Sequence, residues 1–114
     1  MGIPNATHQA ASNAIAGLGS WISLHTGAGA GTTGANEATG GGYGRVQTVW
    51  SAGSTGTNTG SAVTIPCAAA TYTEGGIFSA SSTGTFVGSN AFSGGNVTVS
   101  GSGASIVVTP SNTA

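Results

Sequence analysis

Short stretches of alternating apolar and small polar residues recur along this chain, and glycine, serine and threonine separate them. Ala104 to Thr109 is one such stretch, and Gly101 to Gly103 is the separator in front of it. β-Strands show this two-residue alternation, and turn signals at intervals of about 8 to 12 residues are typical of sandwiches and barrels. We therefore predict a single all-β domain, a β-sandwich or jelly-roll-like fold of about seven short strands.

The predicted strands share an alternation of large apolar side chains with Ser, Thr or Gly. They cover Trp21–Thr26, Gly44–Trp50, Ala62–Pro66, Tyr72–Ser79, Gly84–Ser89, Asn96–Ser100 and Ala104–Thr109. The segment Ser51 to Ser61 contains nothing apolar beyond Ala52, so we expect an exposed turn there. The core residues that we expect are the apolar side chains on or beside these strands: Ile22, Leu24, Val46, Val63, Ile65, Phe78, Phe86, Phe92, Val97, Val99, Ile106 and Val108.

One helix is predicted before the first strand, over Thr7 to Leu18. Apolar residues recur there at spacings of three and four, which indicates one apolar helix face. The residues of this face are Ala10, Ala11, Ala14, Ile15 and Leu18. We expect the face to pack on the sheet or on a neighbouring subunit. Residues 1–19 would then form an N-terminal arm and helix within a single β-rich domain that spans residues 1–114.

Charge is almost absent from this chain of 114 residues. Asp plus Glu is 2 and Lys plus Arg is 1, so that charged residues make up 3% of the chain, where globular proteins average about 25%. The formal net charge of −1 offers no positive surface for nucleic acid. No apolar run approaches the length of about 18 residues that a membrane helix requires. Because low net charge promotes association, we expect a protein that is permanently assembled with partners.

A connector rich in glycine and threonine, residues 27–42, joins the first two predicted strands. Most connections in compact domains have about four to six residues, and we therefore expect something outside the chain to order this loop. Its segment Gly29 to Gly34 matches G-x-G-x-x-G, a pattern that binds dinucleotides when it opens a helix. The glycine-rich residues that follow have no amphipathic pattern, so we favour a flexible loop over nucleotide binding.

The residue types that catalysis and metal binding require are scarce. Glu37 and Glu74 are the two carboxylates that an acid–base pair of the glycosidase type would need. The alternative that we favour is an ion pair between Glu37 and Arg45 that ties the loop to the next strand. His8 and His25 lack further metal ligands and a carboxylate partner, so we favour polar helix and strand positions for them. We therefore predict no enzyme activity, no catalytic residue, no metal site and no cofactor.

Few other residues have a chemistry that points beyond packing. Cys67 is the single cysteine, which excludes an internal disulfide and a cysteine-based zinc site. Four large aromatic residues with a polar atom suit an interface as well as a core. These candidate interface residues are Trp21, Tyr43, Trp50 and Tyr72.

The segment from Trp21 to Gln47, WISLHTGAGAGTTGANEATGGGYGRVQ, resembles a widespread group of small structural proteins of tailed bacteriophages. Their shared pattern is an aliphatic strand ending in LHT or LFT, a loop rich in Gly, Asp and Pro, and then G-x-x-E-x-(S/T)-G-G-x-Y-x-R. Here the last part reads GANEATGGGYGR, from Gly34 to Arg45, and weaker similarity extends over roughly residues 15 to 92. The chain departs from the group in its low charge and in lacking the Asp and Pro of the first loop.

The resemblance implies a virion component, because members of the group look like tail-fibre, minor tail or head-decoration proteins. We favour a decoration or minor capsid protein that binds the outside of the head and reinforces contacts between capsomers. Its partners would be the major capsid protein and further copies of itself, with no nucleic acid, membrane or small-molecule substrate. Such a protein would be made in the host cytoplasm and located on the capsid surface. The alternative is a tail-fibre or minor tail protein that contacts the host surface, and carbohydrate binding or hydrolysis is a third class.

Overall fold

The computed structural model describes residues 2–114 as a mostly β-stranded chain with one N-terminal helix. Met1, the first residue of the predicted arm, lies outside the described residues. The elements in chain order are α1 (Asn5–Leu18), β1 (Trp21–Thr26), β2 (Val46–Gln47), β3 (Trp50–Ala52), β4 (Thr57–Gly60), β5 (Val63–Cys67), β6 (Ala70–Phe78), β7 (Phe86–Ala91), β8 (Val97–Val99), β9 (Ala104–Val108) and β10 (Ser111–Thr113). The all-β class with an N-terminal helix is confirmed. The prediction of about seven strands is wrong, because residues 2–114 contain ten.

Part of the difference lies in the segment Ser51 to Ser61, which we predicted to be an exposed turn. Strand β4 forms there and pairs antiparallel with β3 on one side and β10 on the other. Its Asn58 is 2% exposed. The predicted strand Gly44–Trp50 is instead divided, because Thr48 and Val49 separate β2 from β3. Hydrophobic periodicity does not detect a polar strand such as β4, since its buried positions are not apolar.

Three antiparallel sheets make up the fold, and the main sheet and the pair β5-β9 both contribute residues to one core. The main sheet has the order β2-β1-β6-β7, with β8 also paired to β6, while β5 and β9 form a pair of their own. Alternate residues of β5 are buried, which is the pattern of a strand with one face on a core. The core cluster comprises Ile22, Leu24, Ala38, Val63, Ile65, Cys67, Tyr72 and Ile106. These curled sheets are compatible with a β-sandwich-like fold.

A β-bulge in β6 explains how that strand contributes to two different environments. His25 pairs with Glu74 and Thr26 pairs with Tyr72, so Thr73 has no partner in the register. An extra residue of this kind bends a strand and re-aims its side chains. Tyr72 therefore enters the core, where it is 1% exposed, whereas Glu74 contacts the long loop.

The predicted core is partly confirmed. Six of the predicted residues are buried: Ile22, Leu24, Val63, Ile65, Phe78 and Ile106. The other six, Val46, Phe86, Phe92, Val97, Val99 and Val108, are partly buried. Cys67 and Tyr72 were missed, because a lone thiol and an aromatic residue with a polar atom are ambiguous in a sequence. No helix within residues 2–114 is long and apolar enough to cross a membrane.

The helix α1 begins at Asn5 rather than at Thr7, and it docks through its polar side. Ser12 Oγ donates to Asn112 Oδ1 and accepts a hydrogen bond from Asn58 Nδ2 at 2.8 Å. The alanines of the predicted apolar face are exposed instead, as is Leu18 at the end of the helix, while Ile15 is partly buried. The face does not pack on the sheet, because the sheet β10-β4-β3 presents amide side chains to the helix. The alternative, packing on a neighbouring subunit, stays a prediction.

Candidate functional site

The charged residues of the chain gather where residues 27–42 fold back over β1. Glu37 forms an isolated antiparallel bridge with His25, and His25 pairs on its other side with Glu74. The two carboxylates therefore flank the same histidine from opposite sides of β1. We call the group around this histidine the loop cluster: Ser23, His25, Glu37, Tyr43, Arg45, Glu74 and Phe78.

Glu37 and Arg45 form a bidentate ion pair. Arg45 Nε donates to Glu37 Oε2 and Arg45 Nη2 donates to Glu37 Oε1, each at 2.8 Å. Tyr43 donates its hydroxyl proton to Glu37 Oε2 at 2.6 Å. The pair is shielded from solvent, since 8% of the Arg45 side chain and 24% of the Glu37 side chain are exposed. Paired geometry of this kind is stronger and more directional than a single contact between exposed charges.

The protonation states follow from these contacts. Burial raises the pKa of Glu37, but the hydrogen bonds from Arg45 and Tyr43 outweigh burial and hold that pKa below its ordinary value of 4.5. Donation to Glu37 raises the pKa of Arg45. Burial, followed by donation to Glu37, raises the pKa of Tyr43 far above its usual range. Glu37 is therefore ionised and Tyr43 is neutral at physiological pH.

Arg45 also connects segments that are distant in the sequence. Its Nη1 donates to the carbonyl oxygens of Ala80 at 2.9 Å and Thr83 at 2.8 Å. Its guanidinium carbon lies 3.5 Å from the centroid of the Phe78 ring, a cation–π contact. A shallow pocket of 270 Å³ opens beside it, but the two charged residues in its lining, Arg45 and Glu37, are already bonded to each other. Arg45 thus joins the long loop to the turn after β6.

His25 is fully buried beneath the loop. Its Nδ1 lies 2.8 Å from the carbonyl oxygen of Ala35, and because a carbonyl only accepts, Nδ1 carries a proton. In the neutral ring Nε2 then accepts the hydroxyl proton of Ser23 at 2.8 Å. The ring stacks on Phe78 with centroids 6.1 Å apart. This burial was not predictable from the sequence, because the covering loop lacks large apolar residues.

The Ser23–His25 pair has the connectivity of a hydrolase dyad but not its surroundings. A backbone carbonyl stands where a triad has a carboxylate that orients the histidine. Both side chains are 0% exposed, so no substrate can approach the hydroxyl group in this fold. His8 lies elsewhere, with its Nδ1 3.0 Å from the carbonyl oxygen of Ala114. Residues 2–114 contain no group of three or more side chains suited to hold a metal ion.

Glu74 is bonded to the glycine-rich loop. Its Oε1 accepts the backbone N–H of Ala30 at 3.0 Å and the hydroxyl proton of Ser89 at 2.9 Å. These two hydrogen bonds lower its pKa from the ordinary value of 4.5. A Cβ at Gly29, whose φ is +80°, would collide with the Glu74 carboxyl group, so a side chain there would displace that carboxylate. The segment that matches G-x-G-x-x-G therefore binds a carboxylate of its own chain.

The rest of the loop is also held from within. Thr26 N donates to Asn36 O at 3.0 Å, and Ala38 N donates to Leu24 O at 2.9 Å. The Asn36 side chain donates to the carbonyl oxygen of Gly29 at 2.9 Å. The expectation that an outside partner orders residues 27–42 is therefore wrong, because hydrogen bonds inside the chain account for the path of the loop.

The candidate interface residues lie in different environments. Tyr72 is in the core, where its hydroxyl donates to a backbone carbonyl at 2.6 Å, so its assignment to an interface is wrong for this fold. Tyr43 is partly buried and bonded to Glu37. Trp50 is partly buried and its indole N–H donates to a backbone carbonyl at 2.9 Å. Trp21 is partly buried at the start of β1.

A groove with a volume of 840 Å³ lies on the main sheet, and no residue of the loop cluster lines it. The end of α1, strands β6 and β7, the turn after β7, and strands β9 and β10 surround it. Among the described residues of its lining there is no Asp, Glu, Lys, Arg or His. Its lining includes Gly88, where an added Cβ would meet nothing within 4 Å. This groove has no counterpart in the sequence predictions.

Searches against models of protein families, curated protein sequences and solved structures find no match for this chain. The contacts described above and the sequence pattern therefore form the basis for a functional proposal.

We expect the free energy of unfolding to fall as the pH drops below 4.5, the ordinary carboxyl pKa of Glu37 and Glu74. Both groups have lowered pKa values in the folded chain, so the unfolded chain binds protons first as the pH decreases. Their stabilising contribution is complete above the unfolded pKa and is lost as the pH falls through the folded values. Urea unfolding at a series of pH values measures this loss, and Glu74→Gln should show a weaker acid dependence. An acid dependence unchanged in that variant would contradict the assignment to Glu74.

Proposed function

We propose that this chain is a structural protein of a tailed-phage virion, in the form of a single small sandwich or jelly-roll-like domain. The specific role that we propose is that of a decoration or minor capsid protein on the outside of the head, where it reinforces contacts between capsomers. The motif from Gly34 to Arg45 supports a virion role through its resemblance to structural proteins of tailed phages. Glu37, Tyr43 and Arg45 of the motif all bond within the chain. A motif that holds a loop in place is suited to a fold shared by proteins with different partners.

The observation that carries the proposal is the placement of the charged side chains. Glu37, Arg45 and Glu74 are all bonded to groups of their own chain. The remaining outer surface of residues 2–114 consists of small polar and apolar side chains, and Ile3, Leu18, Val49 and Val107 project from it. Permanent interfaces are more hydrophobic than transient ones. Such a surface suits a subunit that stays assembled.

The same contacts favour a role without catalysis. A glycosidase requires one carboxylic acid with a raised pKa, whereas Glu37 and Glu74 both have lowered pKa values. Ser23 and His25 are shielded from any substrate. We therefore propose a protein that acts through contacts with the major capsid protein and with its own copies, and that uses no cofactor.

Quantitative mass spectrometry of purified particles tests the proposal, with the major capsid protein as the internal standard. A decoration protein should be present in hundreds of copies per particle. A handful of copies would instead favour the alternative, a tail-fibre or minor tail protein that contacts the host surface. Absence of the chain from purified particles would contradict a virion role of either kind.

A further inference from the structure

We propose that residues 27–37 form a strap that opens when acid protonates the two carboxylates that hold it, while the sheets stay folded. Glu37 and Glu74 are the only side-chain carboxylates of the chain, and both are bonded at this strap. The opening concerns the chain by itself, so this inference goes beyond the proposed virion role and does not depend on it.

The two carboxylates hold the strap at two separate points. Glu74 lies on β6 and accepts the backbone N–H of Ala30 at 3.0 Å. Glu37 ends the strap and accepts two hydrogen bonds from Arg45, each at 2.8 Å. Because the chain has no Asp and no further Glu, acid removes side-chain negative charge at these two points and nowhere else in the fold.

The strap has few other contacts that would hold it closed. Its residues are Gly, Ala, Thr, Asn and Glu, and within it Ala30 is the buried apolar side chain. Burial of alanine contributes little, since the hydrophobic free energy scales with apolar area. The remaining bonds to β1 come from Thr26 and His25. Segments with few buried apolar contacts are the ones that open locally before the rest of a protein unfolds.

Proton binding favours the open strap. While the strap is closed, Glu37 and Glu74 have pKa values below the ordinary value of 4.5. Their contribution to closure is therefore complete above the ordinary value and is lost as the pH falls through the closed-state values. Arg45, Tyr43 and His25 face Glu37, and His25 also faces Glu74. Once both carboxylates are neutral, a proton on the His25 ring has no negative charge beside it, and burial of such a charge is costly.

Opening uncovers an aromatic surface. Gly34 of the strap lies against two rings, since a Cβ there would be 2.8 Å from Phe78 and 3.2 Å from Phe86. The His25 ring completes the group, with its centroid 6.1 Å from that of Phe78 and 6.3 Å from that of Phe86. In the closed form Phe78 and His25 are buried. The strap is thus a device that exposes apolar surface in acid.

Amide hydrogen exchange measured by NMR, corrected for the intrinsic exchange rate at each pH, tests this opening. Thr26 and Ala30 report on the strap, because their N–H groups donate to Asn36 O and to Glu74. The amides of β5 and β9 report on the sheets. We expect the protection of Thr26 and Ala30 to fall about tenfold or more between about pH 6 and about pH 3, since each unit of lowered pKa corresponds to a factor of about ten. The protection of β5 and β9 should not change.

A variant without side-chain carboxylates carries the test further. Glu37→Gln combined with Glu74→Gln keeps the shape of two protonated carboxyl groups. Its strap amides should have low protection already at about pH 6, with no further loss in acid. Gln47→Glu is the matched control, because it adds a carboxylate at an exposed position of β2 outside the strap. This control should show the same acid response as the unaltered chain.

Three results would overturn the proposal. One is an equal loss of protection in the strap and in the sheets, which means global unfolding. The others are strap protection that does not change with pH and an acid response that persists in the double variant. The pH series of the unaltered chain decides the matter even if the double variant fails to fold. None of these results bears on the virion role, which the copy number in purified particles tests separately.

Discussion

Arg45→Met is expected to lower the free energy of unfolding by about 3 kcal/mol or more, because it removes one partner of a shielded ion pair. The substitution leaves the Glu37 carboxylate, which is 24% exposed, without its main counter-charge. It also leaves the carbonyl oxygens of Ala80 and Thr83 without the Arg45 donor. Typical domains have a total stability of about 5 to 15 kcal/mol, so this loss is a large share of the whole.

Chemical denaturation of a set of variants separates charge from geometry. Arg45→Lys keeps the charge but cannot form the two parallel bonds to Glu37, so we expect it to recover only part of the loss. Glu37→Gln combined with Arg45→Met should cost less than the sum of the single variants, because the two residues interact directly. Additive effects of the two substitutions would contradict an energetic coupling between them.

Gly76→Ala is expected to destabilise the fold by about 2 to 5 kcal/mol, the combined scale of overpacking and of a broken buried hydrogen bond. A Cβ at this position would lie 2.5 Å from Ser23 Oγ and 2.7 Å from His25 Nε2. Neither side chain can move toward solvent, since both are 0% exposed. The added methyl group therefore has to displace the hydrogen bond that joins them.

Gly88→Ala is the matched control for Gly76→Ala, since it makes the same change on the neighbouring strand. Its Cβ meets nothing within 4 Å, and replacing a strand glycine by alanine reduces the freedom of the unfolded chain. We expect a neutral effect or a gain of about 0.4 to 1 kcal/mol in thermal or urea unfolding. Equal losses in the two variants would show that the cost comes from losing glycine and not from contact with Ser23 and His25.

The sequence predicted those elements in which burial and apolarity coincide. The strand Trp21–Thr26 has the same bounds in the prediction and in the structure, because it alternates and carries Ile22 and Leu24. The contact between Glu37 and Arg45 was also foreseeable, since Arg45 is the only arginine and the chain has no lysine. A carboxylate of this chain that forms an ion pair with Lys or Arg can therefore pair only with Arg45.

The features that the sequence did not predict depend on polar or missing side chains. Strands β4 and β10 bury Asn58 and Asn112, so these strands have no apolar alternation that would predict them. The burial of His25 is produced by a covering loop of glycine, alanine and threonine, residue types that usually indicate exposure. The groove forms above positions such as Gly88, and a pattern of side chains gives no information about where an absent side chain leaves space.

The docking of α1 through Ser12 determines which positions of the helix can be substituted without loss of its contacts. The amides that hold the helix and the alanines on its outer side are separate sets of positions. Substitutions among the outer residues leave those hydrogen bonds intact, so the exposed side of the helix can diverge while the fold is retained.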